Sequence, residues 1–482
     1  MREELERDAE RFHQEATREY YLVRSGQKEA LELSPIYERY EHLFTRAAAQ
    51  ETLRERRERG GRFLAEFITL EHLENSVKQL SDQIANMLLR AKATWEGQEV
   101  AYHNLEILYT NEPHLDRRHH LYQNRMQITA QANPLRGERW VALQAAAKEL
   151  GFPHYGALCD ELRALDLARL AKEMKTLLAE TERAYFERLG YYLYRIDVPE
   201  AQANRADIAF LFRAAHFDPL FPSQRLISSL TATLQGLGIR LAEQKNLELD
   251  IEPRPLKSPR AFVAPIRIPE EVKLVIKPRG GQDDYDSFYH EAGHAQHFVH
   301  VSPELVFPFR RLGDNSITEC YAFLFQHLLH SPRWLEVFLG VEGAQDYLRH
   351  VHFRKLYMLR RYASKLLYEL DLHADGLFGA EQRYAALLGN NLGLSIYPED
   401  YLDDLDDAFY AAQYLRAWIL EMQLRRYLED HFGRDWFAHP EAGRFLIGLW
   451  QRGQEFTAPE LAVDLGYAGL SLDPLLEELT RR

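Results

Sequence analysis

The start of the chain has the hydrophobic spacing of an amphipathic helix. Apolar side chains recur there at every third or fourth position: Leu5, Ala9, Phe12, Ala16 and Tyr20. Residues at this spacing lie along one side of a helix, and charged residues occupy the other side. The pattern predicts a helix from Met1 to about Ser25, ended by Gly26, in which the apolar side chains face the core.

The same spacing of apolar residues, typical of helices, continues over most of the chain. We expect helices at about 35–59, 62–94, 97–110, 112–131, 135–150, 154–163, 166–190, 199–215 and 223–234. Residues 217–222 contain two prolines and interrupt the helical pattern. We therefore expect an N-terminal helical lobe over residues 1–215 and a second lobe over residues 216–482.

One region departs from the helical texture. Residues 261–268 and 271–277 alternate apolar with other residues and are rich in β-branched side chains. This pattern predicts two strands joined by a short connection. The helical pattern resumes after residue 286. The chain is therefore expected to be mainly α-helical, with one small antiparallel sheet at about 261–277.

Composition narrows the class of protein. The 482 residues are 46% hydrophobic and 12% aromatic, which provides a large core and excludes general disorder. No run of about 18 apolar residues occurs, so we expect no membrane span. The net charge of −14 disfavours a nucleic acid partner, whose phosphates require a basic surface.

Cysteine usage and the N-terminus indicate the compartment. Cys159 and Cys320 are too few for a disulfide framework and lack the spacing of a zinc knuckle. The charged N-terminus has no apolar stretch and no cleavage site of small residues, so we expect no secretory signal. These features predict a cytoplasmic protein. They carry no information on its oligomeric state.

The clearest chemical signal is the segment His290-Glu291-Ala292-Gly293-His294, which matches the H-E-x-x-H pattern. Residues four apart are about 400° apart around a helix, so His290 and His294 project from one face. They can bind one Zn²⁺ ion at about 2.0–2.1 Å each. Glu291 is placed to contact a zinc-activated water and accept its proton, because zinc lowers the pKa of that water to about 7.

A third protein ligand is required, and His300 is the first candidate. It has the spacing of the metzincin pattern, but that pattern needs glycine where His297 stands. If the helix continues, His300 lies about 240° from His294 and points away. We therefore consider His300 the weaker candidate.

Glu319 and Asp314 are the other candidates. Glu319 lies in the first turn of a predicted apolar helix, where its carboxylate can face the histidines in a two-His, one-Glu site. The segment from Ser316 to Glu319 also matches a capping box, which would explain Glu319 without a metal. Asp314 lies in a glycine-containing loop, where a ligand is held less rigidly.

These residues resemble the thimet oligopeptidase and oligoendopeptidase F family of zinc peptidases, which are gluzincins. Angiotensin-converting enzyme is a more distant relative with a similar plan. In that family the glutamate ligand follows the second histidine at the spacing that separates Glu319 from His294, which is 25 residues. Residues 288–297 resemble the family's active-site helix, and residues 409–418 resemble its tyrosine-bearing helix.

The resemblance implies a two-lobed helical metallopeptidase with a deep central channel and a small antiparallel sheet beside the active site. One zinc ion would lie at the floor of the channel, held by His290, His294 and Glu319. Glu291 would be the general base. The substrates would be short peptides, because a folded protein cannot enter such a channel.

The tyrosine-bearing helix has an implied role and one departure from the family. Tyr414, and next Tyr410, would donate a phenol O–H to the oxyanion of the tetrahedral intermediate. They are four residues apart and share a helix face. Family members usually have a histidine a few residues earlier that donates to the substrate, but residues 401–407 contain none.

The first predicted strand is a candidate surface for peptide binding. An edge strand that begins at Ala261 can pair with an extended peptide by β-augmentation. Arg260, Lys277 and Arg279 border the strands and could bind a C-terminal carboxylate.

The leading hypothesis is therefore a zinc-dependent oligopeptidase. The first alternative is a protein of the same fold that binds peptides but is catalytically weak or inactive, because the usual histidine is missing. The second alternative is a helical scaffold with an accidental motif. Metal analysis separates the scaffold from the other two, and peptide turnover separates those from each other.

Overall fold

The computed structural model describes residues 2–480. Its α-helices, numbered α1 to α19 in chain order, are Arg2–Arg24, Ser34–Arg39, Arg46–Arg54, Arg59–Arg90, Tyr102–Asn111, Leu115–Glu149, Tyr155–Arg163, Leu167–Arg195, Arg205–Arg213, Ser223–Gly236, Gln282–His300, Asn315–His327, Pro332–Trp334, Gln345–Asp375, Ala380–Leu392, Tyr410–Phe432, Pro440–Trp450, Ala458–Asp464 and Asp473–Thr480. Its strands, β1 to β5, are Lys92–Trp95, Gln98–Ala101, Leu247–Asp250, Phe262–Arg267 and Glu271–Val275. The expected mainly α-helical fold is confirmed. None of the helices within residues 2–480 combines the length and the apolar character needed to cross a membrane.

Helix α1 buries most of the predicted apolar stripe. Its buried members are Leu5, Ala9, Phe12 and Ala16, whereas Tyr20 is 45% exposed. The neighbouring Tyr21 is buried instead and belongs to a hydrophobic cluster with residues of β4. The end of the stripe is therefore set by what α1 packs against, and not by helical spacing alone.

A β-hairpin occupies residues 92–101, where the sequence suggested the junction of two helices. Strands β1 and β2 pair antiparallel, with Trp95 opposite Gln98. The two residues between them, Glu96 and Gly97, both have positive φ (51° and 78°), as the favoured two-residue hairpin turns require. Each strand has four residues, which is too short for alternation to stand out in the sequence.

Helix α6 continues through Pro134, where we expected two helices at 112–131 and 135–150. Proline removes a backbone hydrogen bond from the helix interior. In this turn Arg136 Nη1 donates to the carbonyl oxygen of Thr129 at 3.0 Å.

The predicted helix at 35–59 is interrupted. Helix α2 ends at Arg39, and α3 begins at Arg46. Thr45 is the N-cap of α3, because its hydroxyl accepts a hydrogen bond from the backbone N–H of Ala48 at 3.2 Å.

The two predicted strands near residues 261–277 are present as β4 and β5, which pair antiparallel as expected. The short strand β3 joins them in the order β3-β5-β4 and runs parallel to β5. Strand β4 therefore forms one edge of this sheet, and within the described part of the chain no strand pairs with its outer side.

The chain forms two compact units, each built from several segments. Unit 1 contains the described chain up to Thr69, together with Ala215–Arg349 and Arg416–Leu475. Unit 2 contains Leu70–Ala214, His350–Leu415 and the described residues from Leu476 onward. The division expected from the sequence, at residue 215, is one of several points at which the chain passes from one unit to the other. Local sequence patterns do not reveal such returns of the chain.

Helix α11, in unit 1, has neighbours on several sides. It packs against β4 and β5, and also against α12 and α17. Most of its residues between Phe288 and Val299 are buried, as expected for a helix that contacts neighbours on several sides. The helix that carries the H-E-x-x-H motif is therefore held rigidly.

In unit 2 an acidic segment leads into α16 and is held by cationic side chains. Arg205 Nη1 lies 2.8 Å from a carboxylate oxygen of Asp400, and Lys365 Nζ lies 2.9 Å from one of Asp406. Glu369 accepts a hydrogen bond from the backbone N–H of Asp406 at 2.8 Å. Burial raises the pKa of Glu369 to about 8. These contacts fix the chain just before the tyrosine-bearing helix.

Candidate metal centre

Helix α11 presents His290 and His294 one turn apart on the same face. The ring centroids of the two imidazoles are 4.9 Å apart. The first turn of the helix is fixed by Asp284, whose carboxylate accepts hydrogen bonds from two preceding backbone N–H groups at 2.6 and 2.8 Å. The local geometry inferred from the i, i+4 spacing is therefore present.

Gly293, between the two histidines, sets the distance between α11 and α12. A Cβ atom at this position would lie 2.4 Å from the carbonyl oxygen of Tyr321 and 2.6 Å from Cα of Ala322. Both are backbone atoms of α12, so a larger residue fits only if the two helices separate. The H-E-x-x-H pattern leaves this position unspecified, and sequence reasoning missed its role.

Asp314 caps α12 and is not directed at the histidines. Its carboxylate accepts hydrogen bonds from the backbone N–H of Ser316 and of Ala458, each at 2.9 Å. It also forms a buried ion pair with Arg416 at 2.8 Å. These contacts account for Asp314 as a structural residue that orients α12, and they exclude it as the third metal ligand.

Glu319, in the second turn of α12, points toward the two histidines. Its Oε2 atom lies 3.4 Å from His290 Nε2 and 3.6 Å from His294 Nε2. One possible ligand atom from each residue lies within 4.8 Å of the others. The capping box that could have explained Glu319 is not formed, because Asp314 is the N-cap in place of Ser316.

The other nitrogen of each histidine ring is held by a neighbour on α12. His294 Nδ1 lies 2.7 Å from the hydroxyl of Thr318, and His290 Nδ1 lies 3.1 Å from the side-chain carbonyl oxygen of Gln326. A carbonyl oxygen only accepts, so Nδ1 of His290 carries the proton. Both rings are thereby oriented with Nε2 toward Glu319, the position from which a metal would replace a proton on Nε2.

Electrostatic interactions keep the glutamate ionised. Burial alone would raise the pKa of Glu319, but the imidazoles of His294 and His290 hold that pKa well below its ordinary value. Burial alone would lower the pKa of His290, but its hydrogen bond to Glu319 and the charge of the carboxylate raise it to about 9. The three residues thus form a buried polar cluster with a negative oxygen at its centre.

The donor set fits one zinc ion. Four ligands at about 2.0–2.1 Å in tetrahedral geometry lie about 3.3–3.4 Å from one another. The two nitrogen–oxygen distances observed here, 3.4 and 3.6 Å, are close to that separation. Two imidazoles and one carboxylate are also ligands that zinc prefers, and three protein ligands leave a fourth position for water.

Glu291 lies beside this cluster and is anchored to the sheet. Its Oε2 atom accepts a hydrogen bond from the backbone N–H of Val263 in β4 at 2.9 Å. This bond fixes the carboxylate and leaves Oε1 for a second partner. The sequence placed Glu291 next to the metal site, but it did not show that the edge strand holds it.

His300 does not take part in the cluster. Helix α11 continues to His300, and the Nδ1–H of that residue donates to the carbonyl of Gln296 at 2.8 Å. Its ring packs against Trp450, with 5.2 Å between the centroids. The metzincin arrangement is therefore absent, because on a continuous helix His300 lies about 240° around the axis from His294 and points away.

The four candidate peptide-binding residues lie around the β4–β5 pair. Ala261 is buried, and Arg260 is exposed. Lys277 Nζ donates to a backbone carbonyl at 3.4 Å, and Arg279 lies 3.7 Å from the carboxylate of Asp284. Lys277 and Arg279 thus already have partners, and a role in binding stays a prediction for all four.

Tyr410 and Tyr414 lie on the first two turns of α16, in the part of that helix that belongs to unit 2. Their ring centroids are 4.7 Å apart, and Tyr362 of α14 stacks on Tyr414 at 5.5 Å. Both are half-buried, whereas Ala411, Ala412, Gln413 and Leu415 are buried. The two tyrosines therefore share the accessible side of the helix, unlike an ordinary core stripe. Sequence reasoning missed Tyr362.

The entry to α16 has two strained residues. Ala408 and Phe409 have φ values of 55° and 56°, in the left-handed region that residues other than glycine seldom adopt. The backbone N–H of Ala408 donates to the hydroxyl of Tyr155 at 3.0 Å, and its carbonyl accepts from Arg163 at 3.1 Å. These contacts hold the turn that starts the tyrosine-bearing helix. No sequence signal marks it.

Comparison with solved structures shows which fold this is. One similar structure is a Bacillus anthracis str. Ames protein assigned as an oligoendopeptidase F, with a TM-score of 0.64 and 17% identity. The match covers 99% of this chain and 84% of that one. PZ peptidase A, in a structure with an inhibitor, matches with a TM-score of 0.63 and 15% identity, over 96% of this chain and 84% of that one. The mainly α-helical fold with a small sheet that the resemblance implies is therefore confirmed.

Sequence comparisons add nothing to this result, because no protein-family model and no curated protein sequence matches the chain. Identities of 15–17% establish a common fold alone. The functional argument therefore depends on the residues of the site.

Proposed function

We propose that this protein is a zinc-dependent metallopeptidase that hydrolyses short peptides. The observation that carries the proposal is the convergence of His290, His294 and Glu319 at the spacing of tetrahedral zinc ligands. Glu291 beside them supplies a carboxylate that can act as the general base. The fold shared with an oligoendopeptidase F and a PZ peptidase supports peptides as the substrate class.

The chemistry uses Glu291 as the general base. A zinc ion, when bound, supplies a Lewis acid that lowers the pKa of a water molecule to about 7. Glu291 accepts the proton of that water through Oε1, while the N–H of Val263 holds Oε2 in place. The resulting carboxylic acid can return the proton to the leaving amine. General acid–base assistance of this kind contributes roughly 10²–10⁴-fold to the rate.

Tyr414, and next Tyr410, are proposed as donors to the oxyanion of the tetrahedral intermediate. Their position on the accessible side of α16 supports this role. The fixed turn at Ala408 and Phe409, and the stacking of Tyr362 on Tyr414, restrict the motion of the phenols. A donor that is held in place before the reaction costs no reorganisation during it.

One alternative function has a specific observation in its favour. Residues 401–407 contain no histidine, so a group that usually assists such enzymes is missing. A protein of this kind would bind zinc and peptides but catalyse weakly or not at all.

The proposed location is the cytoplasm, which buried thiols at Cys159 and Cys320 support.

Metal analysis of the purified protein and of three variants tests the metal site. We expect about one equivalent of zinc in the wild type and in His300→Ala, and its loss in His294→Ala and Glu319→Ala. Zinc retention by Glu319→Ala together with its loss from His300→Ala would refute the ligand assignment.

Cleavage of quenched fluorescent peptides by the zinc-loaded protein tests the activity. We expect turnover that is lost when a chelator removes the metal and is regained when zinc is added back. Stoichiometric zinc without any turnover would instead favour the peptide-binding alternative.

A further inference from the structure

Two side chains of opposite charge bind the outer edge of β4. Glu291 accepts from the N–H of Val263, and Arg311 Nη1 donates to the carbonyl of Pro265. In an antiparallel strand the polar groups of residues two apart point to the same side. Val263 and Pro265 therefore both turn their backbone groups toward the side of β4 that has no neighbouring strand.

Arg311 differs from the arginine before it in having no acidic partner. Arg310 forms an ion pair with Glu10 at 2.8 Å. Arg311 donates to two neutral acceptors, the carbonyl of Pro265 and, at 3.0 Å, the hydroxyl of Thr17. No carboxylate within residues 2–480 lies at ion-pair distance from it, and burial lowers the pKa of Arg311 to about 10.

A cation that is removed from water without a counter-charge is energetically unfavourable. Hydrogen bonds to neutral oxygens compensate only in part, because bonds between a guanidinium and a carboxylate are shorter and roughly twice as strong. The surroundings of Arg311 therefore favour an incoming carboxylate over an amide or a hydroxyl group.

A small cavity of about 10 Å³ adjoins Arg311. His13 and Gln14 of α1 also line it. Its volume is about that of one water-sized sphere, which is room for one oxygen atom of a carboxylate whose remaining atoms lie outside the cavity. Glu10 lines the same cavity, but Arg310 holds its carboxylate, which reduces its repulsion of a second carboxylate.

We propose that Arg311 binds a carboxylate group of the peptide substrate. The inference rests on the proposed function, and it adds the chemical class of the preferred peptides. Residues two apart in a strand are about 6.6–6.8 Å apart along its axis. Glu291 and Arg311 occupy the backbone groups of Val263 and Pro265, so a peptide that runs alongside β4 meets these two side chains and not the strand itself. Such a peptide brings a group about two residues from the one opposite Glu291 to Arg311. That group is the C-terminal carboxylate or an Asp or Glu side chain.

Pairs of matched peptides test the preference in the wild-type protein. One pair differs only in a C-terminal carboxylate or carboxamide, and further pairs differ only in Glu or Gln at each position near the cleaved bond. A charge-assisted hydrogen bond to a half-buried guanidinium corresponds to about a 10–100-fold preference, which we expect in KM. Preference in the first pair identifies the C-terminus as the source, and preference in another pair identifies a side chain. Equal KM values in all pairs would overturn the inference.

The variant Arg311→Gln should remove the preference by raising KM for the carboxylate member of each pair to that of its neutral partner. Arg311→Lys keeps the charge but loses the planar fork, and should retain part of the preference. Arg18→Gln is the control, because Arg18 is an exposed arginine next to Thr17 on α1, is paired with Glu271, and does not line the cavity. It should keep the full preference. A preference that survives in Arg311→Gln would assign the carboxylate to another cation.

Binding to the Glu291→Gln protein separates this inference from the proposed function. Calorimetry with the same peptide pairs needs no turnover. Suppose that the wild type cleaves no peptide, while the carboxylate peptide binds about 10–100-fold more tightly than its neutral partner. The proposed activity then fails, and the binding site stands. If peptides are cleaved but neither KM nor binding distinguishes the pairs, the site at Arg311 fails and the activity stands.

Discussion

Replacement of Thr318 by valine should weaken zinc binding although Thr318 does not touch the metal. The Thr318 hydroxyl lies 2.7 Å from His294 Nδ1, at the short end of the hydrogen-bond range. Valine has nearly the same shape but has no hydroxyl, so Nδ1 of His294 loses its hydrogen-bond partner. The ring is then free to rotate, and the alternative tautomer places the proton on Nε2, where the metal binds.

The size of the effect follows from burial. Outer-shell partners of metal-binding histidines are typically worth about 10–100-fold in metal affinity. His294 is 8% exposed and Thr318 is 4% exposed, so water cannot easily replace the lost hydroxyl. We therefore expect a loss near 100-fold, or about 2.7 kcal/mol. Gln326 holds the other histidine at the longer distance of 3.1 Å and is only half-buried, so Gln326→Leu should lose closer to tenfold.

Competition with a coloured zinc chelator measures both affinities, and Thr318→Ser is the matched control because serine keeps the hydroxyl. Zinc affinity should be closest to wild type in Thr318→Ser, lower in Gln326→Leu and lowest in Thr318→Val. At saturating zinc, kcat should return to near the wild-type value. Unchanged zinc affinity in Thr318→Val, or reduced turnover with zinc fully bound, would refute the role assigned to the hydroxyl.

Four further changes have defined outcomes. Glu291→Gln should retain zinc by metal analysis but lose about 10²–10⁴-fold in turnover, and full activity would place the base elsewhere. Tyr414→Phe should lower kcat about 10²–10³-fold with little change in KM or thermal stability; a larger loss for Tyr410→Phe would exchange their roles. Gly293→Ala should destabilise the protein by about 1–3 kcal/mol in thermal unfolding and weaken zinc binding, because its Cβ overlaps the backbone of α12; an unchanged melting temperature would contradict the close approach. Burial raises the pKa of Glu369 from 4.5 to about 8, so between these pH values the folded protein retains a proton that the unfolded chain loses. The stability that this proton contributes is full below pH 4.5 and is lost as the pH rises to about 8. Glu369→Gln should therefore gain stability over the wild type between these pH values, by at most about 5 kcal/mol above pH 8, and parallel melting curves across pH would contradict it.

The sequence alone determined the features that depend on residues close together in the chain. A helical repeat places residues four apart on one face, so the histidine pair and the adjacent Glu291 followed from their spacing. The same repeat directed His300 away from them, and the structure bears this out. Alternation over 261–268 and 271–277 was long enough to show both strands. The spacing of 25 residues from His294 also indicated Glu319 as a ligand, but only through the resemblance to a family.

What tertiary structure decided depends on surfaces that meet across long stretches of sequence. The choice between Asp314 and Ser316 as the cap of α12 came from Arg416 and Ala458, more than a hundred residues away. No local pattern can encode such a partner.

The same reason applies to the site itself. Gly293 matters because another backbone lies 2.4 Å from its missing Cβ, and Thr318 matters because α12 packs there. That Arg311 has no acidic partner among residues 2–480 shows only in the folded chain, since any of the 73 acidic residues of the sequence could have been its partner. The sequence thus determined which chemical groups lie on one helix face, and packing decided which groups surround them, because contacts between elements depend on the whole core.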